Sequence, residues 1–332
     1  MSINMNGVPQ TAKIAPVTWA ALLGGCAMWG SGMAVVKIAL QNYDPVFLVG
    51  ARMIMAFVVF TPFILWRFRP IRIRKKDIPL LTLLILCDPV GFFTFEALAM
   101  QHTSAAQASM MWAMAPLLNT VAACLILREK TNLPTVIGFI VAMAGVIMLT
   151  TTSGESEHAS NPVLGNFLEF LSLCGAAGFL VILRFLKGRY PAMLVVWIQC
   201  LGASIFFLPL MFFMDGTMPT EFPVGPTIAL IYLGVCVSFG AQCFSAYAVA
   251  RIPIPRTAAF GNLIPVIGVL CGLILLGESL LPIQWVACAI VLGAVIASQK
   301  FAPKQPEDKP QEITAADVDV QDGADAAAND VK

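Results

Sequence analysis

The amino-acid sequence predicts an all-α membrane protein with ten transmembrane helices, arranged as two inverted five-helix repeats with both termini in the cytoplasm. Three observations predict this fold class: an apolar composition, ten apolar stretches of span length, and an alignment of the chain with itself. Of the 332 residues, 58% are hydrophobic and 12% are charged, whereas soluble domains carry about 25% charged residues. So few charges cannot coat a soluble globule of this size.

A helix needs about 20 mostly apolar residues to cross a bilayer, and ten such stretches alternate with short loops. The predicted spans are 17–39, 45–66, 78–100, 104–127, 132–151, 163–183, 191–213, 226–249, 256–277 and 281–299. The domain organisation that follows is a cytoplasmic N-terminus (1–16), a first five-helix repeat (17–151), an outer loop (152–162), a second repeat (163–299) and an acidic, disordered cytoplasmic tail (300–332).

The basic residues predict the orientation, because inner loops of membrane proteins are enriched in Lys and Arg. With the N-terminus inside, all but two of the 20 Lys and Arg residues fall on the inner side, and the two exceptions, Lys37 and Arg52, lie within spans. The predicted outer loops carry acidic residues instead: Asp44, Glu155, Glu157, Asp215, Glu221 and Glu278. The basic run at 67–76 is therefore interpreted as an orientation signal, and we expect no nucleic-acid partner.

Several kinds of chemistry have no motif in this chain. The nine cysteines fall inside apolar stretches without a CxxC pair, so we expect neither disulfides nor a metal site. The sequence contains no G-x-x-x-x-G-K-[ST], no HExxH and no G-x-S-x-G. We therefore expect no cofactor, no catalytic residues and no ATP-driven pumping by this chain alone.

The two halves of the chain are related by an internal repeat. At an offset of 149 residues the alignment pairs Gly91 with Gly240, Phe95 with Phe244, Ala97 with Ala246, Ala99 with Ala248, Pro116 with Pro265, Leu127 with Leu276 and Glu129 with Glu278. Each repeat holds five predicted spans, an odd number, so the halves have opposite orientations in the membrane. Inverted repeats favour alternating access, in which two halves exchange conformations around a central site.

Short motifs at fixed positions strengthen this interpretation. They are Trp29-Gly30-Ser31-Gly32, Lys37, Pro45, Arg52, Ala115-Pro116, Leu127-Arg128-Glu129 and Gly138 in the first half, and Asn262-Leu263-Ile264-Pro265-Val266, Leu275-Leu276-Gly277-Glu278 and Gln284-Trp285 in the second. Over residues 17–299, in two copies, the chain resembles the EamA-type family of the drug/metabolite transporter superfamily. It departs from a simple duplication, because the second half has no clear equivalent of Trp29 or Arg52.

The resemblance implies a five-plus-five inverted fold in which spans one to four and six to nine line a central cavity. It also implies a multi-pass protein of the bacterial inner membrane that carries small metabolites such as amino acids, often outward. Because substrates differ widely within the superfamily, the resemblance predicts a class of substrate and leaves the compound open.

Charged residues inside spans are the first candidates for the site, because each costs about 2.5–3.5 kcal/mol at mid-membrane depth. Arg52 is interpreted either as a structural ion pair or as a substrate contact. Asp88, next to Pro89, is either a proton or substrate site or a partner for backbone groups. Glu96 lies two helical turns from Asp88 on the same face, and Glu169 lies in the sixth span. Lys37 is expected to extend to the interface.

Uncharged polar and aromatic residues complete the predicted substrate-binding set. Aromatic rings can stack on an apolar or planar substrate, and amides can fix its orientation, although each residue can also serve helix packing alone. These candidates are Trp29, Trp112, Asn119, Gln199, Gln242, Tyr247 and Asn262.

The function that the sequence predicts is secondary transport of a small metabolite, with export as the expected direction. Its partners are a small-molecule substrate and the lipid bilayer, with protons as a candidate coupling ion and a homodimer as one oligomeric alternative. An intramembrane enzyme acting on a lipid or isoprenoid is the second hypothesis, although the clustered acids or histidines that it needs are absent from the sequence. The compound, the coupling and the oligomeric state stay open.

Overall fold

The computed structural model describes residues 15–68, 73–129, 131–157, 159–186, 188–249, 251–252, 257 and 260–301. Within these residues the secondary structure is helical. The described residues form no β-strand, and their one β-bridge is an isolated pair between Ser156 and Ala159. The prediction of an acidic, disordered tail at 300–332 falls outside the described residues except for Lys300 and Phe301, which are helical, so the tail begins later than predicted. Nearly all of the predicted cytoplasmic N-terminus also lies outside the described residues.

The described chain forms thirteen α-helices. They are α1 (Pro16–Ala39), α2 (Pro45–Arg67), α3 (Ile78–Ile85), α4 (Phe92–Met100), α5 (Ala105–Trp112), α6 (Ala115–Leu127), α7 (Leu133–Thr151), α8 (Pro162–Phe185), α9 (Ala192–Phe213), α10 (Val224–Ile231), α11 (Ala241–Val249), α12 (Leu263–Leu275) and α13 (Pro282–Phe301).

Eight helical segments of the described chain are long and apolar enough to cross a membrane, and α5 with α6 makes a ninth across a 44° bend. Two of these eight segments each contain two of the α-helices. The segment Lys75–Met100 contains α3 and α4, and the segment Val224–Val249 contains α10 and α11. The α12 helix has 13 residues, fewer than the approximately 20 that a span requires. The predicted all-α membrane class is confirmed, and the count of ten spans stays a prediction.

The third predicted span of each half contains a widened helical turn. These turns cover Leu86–Gly91 and Tyr232–Gly240, and the repeat offset places the first inside the second. Asp88 has φ −149° and ψ 118°, an extended conformation inside the helix, as expected for a residue before proline. Such widened turns leave backbone carbonyls without helical partners and are frequent at functional sites.

Most helix starts follow from local sequence. Asp44, Ser104, Asn132 and Asn161 each accept a hydrogen bond from a backbone N–H in the first turn of the helix that follows them. Such N-caps satisfy donors that the helix itself cannot. Most long helices also have proline in the first turn. Proline favours a helix start there, because no intrahelical hydrogen bond needs its missing N–H.

The outward surface of the bundle is apolar. Large hydrophobic side chains that project from it include Trp66, Leu125, Phe213, Val224 and Ile274, each more than 70% exposed. In a soluble protein such a surface would drive aggregation, whereas hydrocarbon solvates it. The surface therefore agrees with a bilayer-embedded protein.

The two ends of the bundle differ in charge. Arg67, Arg184 and Arg189 lie together at the ends of α2, α8 and the following loop, which we name the basic end. The other end, named the far end, carries Asp44 at the start of α2 and Glu278 after α12.

Close approach of α1 and α12 between the two halves depends on Gly30. A Cβ atom at this position would lie 2.7 Å from Cβ of Ile267 and 2.8 Å from the backbone oxygen of Ile264. Because real Cβ atoms do not approach backbone so closely, a larger residue would separate the two helices.

We therefore expect Gly30→Ala to lower the free energy of unfolding by about 1–3 kcal/mol, the usual cost of overpacking. Titration of the purified protein with SDS in mixed micelles measures this change. Gly293→Ala is the matched control, because a Cβ there meets no atom within 4 Å. Equal stability of the two variants would contradict the packing argument.

Candidate functional site

A cavity of about 340 Å³ lies in the centre of the bundle, between helices of the two halves. Seven of the residues predicted from sequence line it together: Trp29, Arg52, Asp88, Glu96, Trp112, Gln199 and Gln242. Arg52 and Glu96 come from the first half, and Gln199 and Gln242 from the second. The volume is at the lower end of the approximately 300–1,000 Å³ of ligand pockets.

The guanidinium of Arg52 forms the cationic wall of this cavity. The side chain is buried; Nη1 lies 3.5 Å from Oε2 of Glu96, and Nε donates to Oγ of Ser238 at 3.0 Å. The cation also lies 4.0 Å from the centre of the Phe93 ring. A guanidinium has five N–H donors, so these contacts leave donors that an anionic ligand group can use.

Ser238 was not among the residues predicted from sequence. Its hydroxyl accepts from Arg52 and donates to the backbone oxygen of Leu233 at 2.9 Å. That oxygen belongs to the widened turn Tyr232–Gly240 of the second half. The helix break of one half thus orients the cation of the other, and no short motif around Ser238 indicates this.

The widened turn of the first half presents Asp88. Nε2 of Gln199 donates to the backbone oxygen of Asp88 at 2.7 Å, which satisfies a carbonyl that the helix break has freed. Asp88 is one of the residues that line the cavity. Gln199 therefore supports the break, and Asp88 adds an acidic residue to the cavity wall.

The remaining cavity walls are largely aromatic and aliphatic. Trp112 packs edge-on against Phe92, with ring centres 5.7 Å apart, and Trp29 and Phe179 line other parts of the wall. Nε1 of Trp112 is buried and has no hydrogen-bond partner among the residues that the structure describes. The cavity thus combines a cation, two carboxyl groups and apolar rings, which together suit a small amphipathic solute.

Four predicted residues lie outside the cavity lining, and substrate contact by them stays a prediction. Nδ2 of Asn262 donates to Gln299 at 3.0 Å, which joins α12 to α13. Tyr247 is 37% exposed. On α6, the buried side-chain oxygen of Asn119 has no hydrogen-bond partner in the described part of the chain. On α8, Glu169 is completely buried.

Contacts across the two halves close the far end of the bundle. The carboxylate of Glu278 accepts from the backbone N–H groups of Ala105 at 2.7 Å and Ala106 at 2.9 Å. These are the first residues of α5, where a helix favours negative charge. Nearby, the ammonium of Lys37 donates to the backbone oxygen of Thr103. Lys37 thus contributes to this closure, and the expectation that it extends to the interface stays a prediction.

The basic end has different contacts. Arg184 pairs with Glu129, whose side chain is 41% exposed, and Arg189 pairs with Asp77 in the loops. The hydroxyl of Tyr190 donates to Asp77 at 2.9 Å, and burial, with the Asp77 charge, raises the pKa of Tyr190. Glu129 is the repeat counterpart of Glu278, so counterpart residues are exposed at one end and buried at the other.

Comparison with known proteins agrees with this architecture. The family model described as the EamA-like transporter family matches residues 17–151 and 163–298. The uncharacterized transporter YcxC of Bacillus subtilis is 26% identical over 277 residues, which are 81% of this chain and 88% of that protein. A probable terminal-alkyne amino-acid exporter of Streptantibioticus cattleyicolor is 24% identical over 287 residues, 86% of this chain and 93% of that protein.

A solved crystal structure shares the fold. It superposes with a TM-score of 0.59 at 18% sequence identity, and the match covers 85% of this chain and 99% of the other.

We expect Glu278→Gln to loosen the N-terminus of α5. The glutamine side chain has one oxygen that accepts a hydrogen bond and one NH2 group that cannot, so one of the two bonds to the backbone N–H groups is lost. A charge-assisted hydrogen bond contributes about 1.5–3 kcal/mol, so the backbone amide of Ala106 should exchange with solvent about tenfold faster or more. Hydrogen–deuterium exchange of the peptide that contains residues 104–107 measures this. Glu221→Gln, at an exposed acidic position, is the control, and unchanged protection in Glu278→Gln would contradict the closure.

Proposed function

The chain belongs to the EamA-like transporter family, and from that premise we propose that it is a secondary carrier of a small metabolite. The substrate class is an amino acid or a related organic solute, and the mechanism is alternating access. The intramembrane enzyme considered from the sequence is not retained, because the relatives are named as transporters.

The composition of the central cavity supports this substrate class. Arg52 can hold a carboxylate, and Asp88 and Glu96 offer negative charge to an ammonium group. The rings of Trp29 and Trp112 can contact an apolar side chain between these charges. A zwitterion with a short apolar side chain therefore matches the cavity in charge, shape and size.

Alternating access is the mechanism that the two bundle ends support. We propose ten spans in two inverted repeats (17–151 and 163–299), with the basic end in the cytoplasm because of the positive-inside rule. Glu278 then closes the outer end in the present conformation. By the symmetry of the repeat, Glu129 would leave Arg184 and close the cytoplasmic end in the opposite conformation.

The direction and location are also part of the proposal. The printed name of the Streptantibioticus cattleyicolor relative is that of an amino-acid exporter, which supports export for this chain. The bacterial relatives support a location in the bacterial inner membrane. A homodimer stays a prediction.

Counterflow in proteoliposomes tests the proposal directly. Vesicles containing the purified protein are loaded with pooled unlabelled amino acids or, separately, pooled small organic acids, and the uptake of each labelled compound is measured. Accumulation above protein-free vesicles for amino acids would support the proposed class. Accumulation of no compound from either pool by folded protein would contradict it.

Arg52→Lys tests the role of the guanidinium in the same assay. Lysine keeps the charge but loses the planar fork that binds a carboxylate through two hydrogen bonds. Loss of one charge-assisted bond is worth about 1.5–3 kcal/mol, so we expect a half-saturating concentration about tenfold higher or more. Arg67→Lys, on the same helix but exposed at the basic end, is the control. An unchanged half-saturating concentration in Arg52→Lys would contradict a role for the Arg52 guanidinium in substrate binding.

A further inference from the structure

A stripe of buried polar side chains follows one face of α8. Asn166, Glu169 and Ser172 recur at intervals of three residues and are 3%, 0% and 0% exposed, respectively. Because residues three apart lie on one helix face, the stripe continues towards Ala176, which lines the central cavity. It therefore leads from the far end of the bundle to the candidate site.

The middle of this stripe contains polar atoms without partners. Both carboxyl oxygens of Glu169 and Oγ of Ser172 are buried and form no hydrogen bond within the described structure. A buried carboxylate anion without a cation or donor is strongly unfavourable. The form that fits this environment is the neutral carboxylic acid, which carries a proton.

The packing of α8 against α4 brings this stripe to Glu96. A Cβ at Gly165 would touch Thr103, and a Cβ at Gly175 would touch the backbone of Phe92. The two helices are therefore antiparallel, with Ser172 at the level of Glu96 and Glu169 about one turn nearer the far end. Glu169 therefore lies about one helical turn along α8 from the level of Glu96.

The other titratable groups around Glu169 are few. Of the elements packed against α8, α4 contributes Glu96, the widened turn Leu86–Gly91 contributes Asp88 and Cys87, and α6 contributes Cys124. The α3, α5 and α7 helices, which the structure describes completely, carry no titratable side chain. Cations lie at the borders of this region, where Arg52 contacts Glu96 and Lys37 contacts Thr103.

Hydrogen-bonded side chains connect the stripe to the far end. The hydroxyl of Thr103 donates to Oδ1 of Asn166 at 2.7 Å, and Nδ2 of Asn166 donates to Gln107 at 3.1 Å and to Thr150 at 2.9 Å. Thr103 follows His102, whose ring contacts Ser160 in the loop before α8. Hydrogen-bonded polar groups thus extend from Thr103 to Asn166, which lies one helical turn from Glu169 on α8.

We propose that Glu169 is a proton-binding site that exchanges its proton with Glu96. In this step the Glu169 carboxylic acid gives up its proton and the Glu96 carboxylate takes up a proton. Glu169 becomes the anion, and Glu96 becomes the neutral acid. Glu169 regains a proton from the far end.

This assignment rests on the proposed carrier function, to which it adds the coupling ion. A proton on Glu96 removes negative charge that would otherwise hold the ammonium group of a substrate. The cavity therefore binds either a proton that arrives from the far end or substrate that arrives from the basic end. The carrier is thus an antiporter that exchanges protons for substrate.

The first test needs no substrate. Infrared spectra of the protein in lipid, at neutral pH, report the carbonyl stretch of protonated carboxylic acids. We expect the wild type to show a band that is lost in Glu169→Gln, which keeps the shape of the side chain but cannot bind the proton. Glu155→Gln, in an exposed loop, should leave the band unchanged. The same band in Glu169→Gln would overturn the proposal.

The second test separates coupling from carriage. With labelled amino acids, uptake driven by a pH gradient should be lost in Glu169→Gln while counterflow without a gradient remains, and Glu169→Asp should restore part of the driven uptake. Parallel loss of both activities would indicate a structural role and overturn the proposal. Wild-type vesicles that carry no amino acid would refute the carrier function, whereas the infrared result would still decide whether Glu169 holds a proton.

Discussion

The buried pair of Arg52 and Glu96 is the interaction on which the rest of the site depends. A charge at mid-membrane depth costs about 2.5–3.5 kcal/mol, so the cation needs partners. Glu96, the Phe93 ring and Ser238 supply them. Ser238 belongs to the second half, and its position requires the widened turn Tyr232–Gly240. One buried cation therefore links the cavity wall, the helix breaks and the contact between the halves.

The internal repeat explains why residues at corresponding positions of the two halves have similar chemistry but different surroundings. The widened turns of both halves face the cavity at corresponding positions. Glu278 and Glu129 also correspond, yet Glu278 is buried against the N-terminus of α5 and Glu129 is half exposed beside Arg184. In the proposed inverted arrangement, two copies with the same local chemistry can form the same closure at either end. A conformation in which only one copy is closed is therefore an expected state of such a pair.

The all-helical membrane class and much of the cavity lining could be predicted from sequence, because they depend on local hydrophobicity and on charges that must be neutralised. Arg52, Asp88 and Trp112 were found in this way. The contacts of Glu278 with Ala105 and of Lys37 with Thr103 could not be predicted, since they join residues far apart in the chain. The position of Glu169 outside the cavity depends on the register of α8 against α4. Such a register is set by close packing at Gly165 and Gly175, which no periodicity in the sequence encodes.

The central claim is that the two ends of the bundle open in turn, and distances between spin labels test it most directly. In a cysteine-free background, one pair at Asn42 and Leu281 reports the far end, and another at Thr131 and Arg251 reports the basic end. All four residues are exposed. The distances would be measured in lipid with and without a saturating pool of amino acids. Alternating access predicts that, when amino acids are added, one distance lengthens as the other shortens. Distances that stay fixed, or that lengthen together, would contradict it.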